Sequence, residues 1–137
     1  MRKFKVMLTA CLVLLLTAQA AFGAVLSTPD VELMADNYLT ASASISLSGS
    51  TVEVTGKIVG RAGKTTMTSI HLYLQQYKNG SWVNVADWTS TGATVARQLS
   101  KTKTVTKGYK YRAKAVCAAY VGSEKETVTK YSSIVSY

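Results

Sequence analysis

Histidine occurs once and cysteine twice in 137 residues, so the chain has few of the nitrogen and sulfur ligands that transition-metal sites use. Cys11 lies in an N-terminal apolar run that reads as a removed segment, which leaves Cys117 as the one remaining thiol. A lone thiol forms no internal disulfide, and the fold must then be held by packing. Roughly 115 residues suffice for that, because a domain of this size buries about two thirds of its unfolded surface. Cys117 sits within Ala113-Lys114-Ala115-Val116-Cys117-Ala118-Ala119, a setting that suits a buried, inert side chain better than a reactive one. Proline occurs once, at Pro29, and beyond Asn37 no stretch keeps a helical period. Acids are scarce as well. From Tyr38 onward 13 Lys or Arg face four acids, Glu53, Asp87, Glu124 and Glu126. Three of these four fall on solvent-facing strand positions or among lysines, which disfavours the raised-pKa carboxylate pair of a glycosidase.

The first 23 residues have the layout of a secretory signal peptide. Arg2, Lys3 and Lys5 precede an uncharged apolar run, and small residues allow a cut after residue 20 or after residue 23. An uncleaved anchor over residues 6–26 is the competing reading. Leu8-Thr9-Ala10-Cys11 has the form of a lipoprotein box, but too little of the apolar run precedes Cys11 for that processing. Residues 24–37 carry Asp30, Glu32 and Asp36 and read as an acidic flexible leader with at most one helical turn, capped by Thr28 with Pro29 in its first position.

Residues 38–137 read as a single all-β domain. Ala41, Ala43, Ile45 and Leu47 alternate with serines, and Ser48-Gly49-Ser50 turns the chain. Val52, Val54 and Ile58 continue the period in a second strand that stops at Gly60-Arg61-Ala62-Gly63. Ile70, Leu72 and Leu74 alternate with His71, Tyr73 and Gln75 in a third, and Asn79-Gly80 is a strong hairpin signal. Further strands are expected over residues 82–88, 94–105, 109–120 and 127–135, making seven in all. With Asn79 and Gly80 as the loop, Tyr77 falls opposite Trp82, Gln75 opposite Asn84 and Leu74 opposite Val85, so that Leu74 and Val85 enter the core together. That register would bury Asp87. A bulge near Ala86-Asp87 is therefore expected, swinging Asp87 outward and Trp88 inward.

Gly108-Tyr109-Lys110-Tyr111-Arg112-Ala113-Lys114-Ala115-Val116 resembles the sixth strand of fibronectin type III and related immunoglobulin-like β-sandwiches. The resemblance implies a seven-stranded antiparallel sandwich in which Tyr109 or Tyr111 anchors a corner through a backbone hydrogen bond. The core Trp and the prolines typical of those domains are missing, and Arg-Gly-Asp does not occur. Tyr38-Leu39-Thr40-Ala41, Leu72-Tyr73-Leu74-Gln75 before Gly80-Ser81-Trp82, and Tyr111-Arg112-Ala113-Lys114-Ala115 also resemble a group of small secreted Gram-positive bacterial proteins catalogued as a domain of unknown function. That likeness implies export and a β-sandwich and supplies no activity.

Candidate chemistry is sparse. His71 stands on the outward side of its strand with no Ser or acid at a recognisable motif distance, which suits a surface ladder better than catalysis. Gly60-Arg61-Ala62-Gly63-Lys64-Thr65 has two residues between its glycines and a strand after it, where a phosphate loop has four and a helix. It reads as a turn, and so does the formal sequon Asn79-Gly80-Ser81. No catalytic, metal or cofactor site is expected.

One constellation remains. In a fibronectin-like sandwich strands three, four, six and seven share a sheet, which sets His71, Tyr73, Gln75, Tyr77 and Trp82 near Lys110, Arg112 and Lys114. Rings stack on sugar faces and cations pair with phosphate or carboxylate, so this wall suits a glycan or an anionic cell-wall polymer. The bland alternative is a solvated ladder held by cation–π contacts. The expected function is a secreted, non-enzymatic binding module of the cell envelope. A structural protein self-associating through an exposed final strand (Val128, Tyr131, Ile134, Tyr137) and a cationic membrane-active factor are the alternatives. Nucleic acid fits the charge but not an exported protein, no membrane span is expected once residues 1–23 are gone, and the oligomeric state is left open. The end of the chain offers no sorting signal or apolar tail, so any wall attachment is expected to be non-covalent.

Overall fold

The computed structural model describes residues 37–137; the expected signal peptide and almost all of the leader lie outside the described residues. The domain is all-β, with eight strands in two antiparallel sheets. They are β1 (Tyr38–Ser48), β2 (Thr51–Gly60), β3 (Met67–Lys78), β4 (Ser81–Gly92), β5 (Ala96–Thr104), β6 (Lys110–Val121), β7 (Glu124–Tyr131) and β8 (Val135–Ser136). One sheet has the order β1-β2-β5 and the other β4-β3-β6-β7, with β8 also pairing to β6. This is the strand grouping of a fibronectin-like sandwich, and β3, β4, β6 and β7 share a sheet as expected. The last expected strand is instead two, because the ladder stops at Tyr131 and resumes for two residues at Val135.

The alternation seen in the sequence sets the layers. Val52, Val54 and Ile58 of β2 meet Ile70, Leu72 and Leu74 of β3 and Ala113, Ala115 and Cys117 of β6 in a fully buried core. Gly56 occupies a core position in β2 because the sheets are too close there for a side chain. A Cβ at that position would lie 2.9 Å from Ile70 Cγ2 and 3.2 Å from Ala115 Cβ. The β3–β4 turn is tight, with Asn79 at φ 52° and Gly80 at φ 81°, the pair of left-handed residues that a two-residue hairpin of this twist requires.

The register around this hairpin differs from expectation at one residue. Tyr77 pairs with Trp82 and Gln75 with Asn84, but Leu74 pairs with Ala86, so the extra residue is Val85 and not one at Ala86-Asp87. Val85 is therefore exposed and outside the core, and Ala86 takes the inward place facing Leu74. The physical reason for a bulge holds. It leaves Asp87 beside Tyr73 on the outer face and Trp88 beside Leu72, packed against the core.

The corner tyrosine is Tyr111. Its buried hydroxyl donates to Thr106 O (2.6 Å) and accepts from Thr106 N (3.1 Å) and Gln76 Nε2 (2.9 Å), tying β6 to the β5–β6 connection and to β3. Cys117 is free and buried, and burial pushes its thiol pKa up to about 11. At the start of the domain Asn37 N donates to Glu126 Oε2, and Thr65 Oγ1 donates to Asn37 O. The final segment matches the sequence reading in part, since β7 ends its sheet. Val128 and Tyr137 pack against the core, and of the four residues named for it Tyr131 and Ile134 are exposed.

Candidate functional site on the outer wall of the four-stranded sheet

Inward burial of Ile70, Leu72, Leu74, Ala113, Ala115 and Cys117 forces the residues between them outward. Period two thus places His71, Tyr73, Gln75 and Tyr77 of β3 beside Lys110, Arg112 and Lys114 of β6 on one wall. The β3–β6 register sets Tyr73 against Lys114, Gln75 against Arg112 and Tyr77 against Lys110. Trp82 joins them from β4, its ring centroid 5.2 Å from that of Tyr77. All eight residues singled out in the sequence share this wall.

Their contacts fall into two groups. In the first, the Arg112 guanidinium carbon lies 4.3 Å from the Trp82 ring centroid and 4.3 Å from that of Tyr131 on β7. Arg112 Nε donates to Gln75 Oε1 (2.8 Å), and Gln75 Nε2 donates to Asn84 Oδ1 (2.8 Å). The planar cation is thereby fixed by one buried amide and flanked by two rings. Next to it Tyr77, Trp82, Lys110 and Ile134 line a shallow hollow of about 240 Å³.

In the second group, the His71 and Tyr73 rings stack with centroids 4.1 Å apart, and the Tyr73 hydroxyl lies 2.8 Å from His71 Nδ1. His71 Nε2 lies 2.7 Å from Asp87 Oδ2. Lys114 Nζ stands 5.4 Å from the Tyr73 centroid. An acid does accompany His71, contrary to its apparent isolation in sequence. Asp87 pairs directly with Tyr73, and the contact to His71 is the diagonal one that the bulge makes possible.

Sequence reasoning left four members off this wall. Asp87 was expected to face outward but was not joined to His71. Tyr131, read from the sequence as part of an exposed final strand, pairs with Lys114 in the β6–β7 register. Tyr120 and Lys125 pair across the same two strands, with Lys125 Nζ 5.7 Å from the Tyr120 ring. The turn at Gly122-Ser123 is the sequence signal for that register, since β7 begins directly after it at Glu124.

The opposite wall, on β1-β2-β5, is rich in hydroxyls, with Glu53 and Lys57 on its central strand. Ser44, Thr55 and Ser100 lie side by side across its three strands, with 2.7 Å between Thr55 Oγ1 and Ser100 Oγ. Among the described residues no group of three or more His, Cys, Asp or Glu side chains comes together, and no helix is long and apolar enough to cross a membrane.

No family model and no curated protein matches the sequence. Among solved structures the chain is similar to CsgH of R. palustris, determined in solution. The TM-score is 0.41 at 14% identity, over 67% of this chain and 88% of that one. A similarity of that extent bears on neither function nor partner.

Proposed function

We propose that the chain is exported, is cut after residue 20 or 23, and works outside the cell as a non-catalytic module whose β4-β3-β6-β7 wall holds an anionic or glycan polymer of the cell envelope. The signal-peptide layout of residues 1–23 supports export. The observation that carries the binding reading is the seating of Arg112 between Trp82 and Tyr131, with Gln75 fixing its Nε. A ring-and-cation row held in place before a ligand arrives loses little side-chain entropy on binding.

The chemistry divides along the wall. Tyr77 and Trp82 offer faces for sugar rings, and Lys110 and Lys114 offer flexible charges for phosphate or carboxylate. Arg112, flanked by rings, has in-plane N–H groups left for an anion. Asp87 is the acid among them and is engaged by His71. Both ring nitrogens of His71 are occupied, one by Asp87 and one by Tyr73.

Sedimentation with purified cell walls at low and high salt tests the proposal. Retention at low salt that fades at high salt, and that drops in Tyr73→Ala and Arg112→Ala, is the expected result. Equal retention of both variants would remove this wall from consideration.

A further inference from the structure

An edge strand presents unpaired N–H and C=O groups to any extended chain, and sheets block that pairing with charges, prolines or bulges. Three of the outer strands here are so blocked. β4 carries the Val85 bulge and Asp87, β5 carries Arg97, Lys101 and Lys103, and β7 carries Glu124, Lys125, Glu126 and Lys130. β1 is different. Tyr38–Ser48 contains no charge, proline or glycine over 11 residues, and its one irregularity lies at its start, between Tyr38 and Thr40. Its ladder partner is β2, and among the described residues it makes no backbone hydrogen bond outside that ladder.

The pattern of β1 is also complementary to itself. Placed antiparallel to its own copy about a twofold axis through Ser44, it sets Ser42 opposite Ser46 on the outer face, and on the inner face Ala43 opposite Ile45 and Ala41 opposite Leu47. Each small inner residue then meets a large one. A centre at Ile45 sets two isoleucines against each other, and a centre at Ala43 leaves two alanines face to face. Charge points the same way. Two copies of a chain with a surplus of nine positive charges repel, and this neutral strand lets them meet without like charges opposed across the ladder.

We propose that β1 is a homodimer interface, pairing antiparallel with β1 of a second copy to make one continuous six-stranded sheet. The half-buried Ala41, Ala43, Ile45 and Leu47 become the middle of a shared core. The outer faces of the two three-stranded sheets join into one plate, and the ring-bearing walls stay free on the other sheets.

Sedimentation equilibrium on the mature protein, with three variants, tests this. The wild type is expected to dimerise. Ser44→Lys brings two ammonium groups together at the axis and is expected to weaken the dimer about tenfold or more. Its circular-dichroism spectrum is expected to stay unchanged, because Ser44 is exposed. Ser44→Cys places two thiols on directly opposed residues, within reach of a disulfide, and is expected to cross-link on mild oxidation. Ser46→Cys faces Ser42 of the second copy and is expected not to. The wild type remaining monomeric at every concentration, a dimer indifferent to Ser44→Lys, or Ser46→Cys cross-linking as fast as Ser44→Cys would each overturn the proposal.

Discussion

Arg112 on β6 stands 4.3 Å from the ring centroids of both Trp82 on β4 and Tyr131 on β7, so a single side chain ties together rings that reach it from strands on either side. Each cation–π contact at an exposed site is worth about 0.5–1 kcal/mol. Arg112→Ala is expected to lower stability by about 1–2 kcal/mol in urea denaturation. Arg112→Lys keeps the charge but has no planar face or Nε donor for Gln75, and is expected to recover less than half of that loss.

Tyr111 fixes the corner by satisfying both the N–H and the C=O of Thr106 with one hydroxyl. Tyr111→Phe keeps the buried ring and strands those groups together with Gln76 Nε2. A cost of about 1–3 kcal/mol is expected, the range for leaving buried polar groups unpaired. A denaturation midpoint within error of wild type would show that water replaces the hydroxyl.

Burial holds the Cys117 thiol at a pKa of about 11, above its ordinary value of 9.0, and the same cause raises Tyr38. Each group binds its proton more tightly folded than unfolded. The stability this contributes is fully present below the unfolded pKa and is lost as pH rises through the folded one. Denaturation midpoints are therefore expected to fall from about pH 9 upward. At about pH 8 a thiol reagent is expected to label Cys117 no faster than the chain unfolds.

Val85 is the residue of β4 with no pair on β3, and both Asn84 and Ala86 already face the sides they need. Deleting Val85 is expected to leave a regular ladder with the contact between Asp87 and His71 intact, at a cost within about 1 kcal/mol. Trp88→Ala, by contrast, removes a ring packed against the core and is expected to cost about 3 kcal/mol. Thermal denaturation of the two variants checks the contrast.

The sandwich was legible because each strand has one wet face and one dry face, and because Ser48-Gly49-Ser50 and Asn79-Gly80 mark their turns without tertiary help. Where side chains were ambiguous the reading slipped. Val85 and Ala86 are both apolar, and the choice of which to loop out is made by Asp87 and Trp88 further along, whose needs fix the sum of the shifts but not its place. The partnership of Arg112 with Tyr131 depends on the register of β6 against β7, and that of His71 with Asp87 on a diagonal between neighbouring pairs of the β3–β4 ladder. Neither is encoded in local period. Likewise nothing within Tyr38–Ser48 says that this strand ends a sheet; that is a property of the topology, and only with it does the absence of charge there acquire meaning.

A chain this basic binds polyanions through charge alone, so the decisive comparison varies rings and charges separately. Titration calorimetry with heparin as an anionic glycan and dextran as a neutral one, on the wild type, Trp82→Ala and the pair Lys101→Ala/Lys103→Ala on β5, makes that separation. The ring wall predicts that Trp82→Ala, which changes no charge, weakens heparin binding about tenfold while the β5 pair does so by less. A ranking set by net charge alone, with Trp82→Ala equal to wild type, would contradict it.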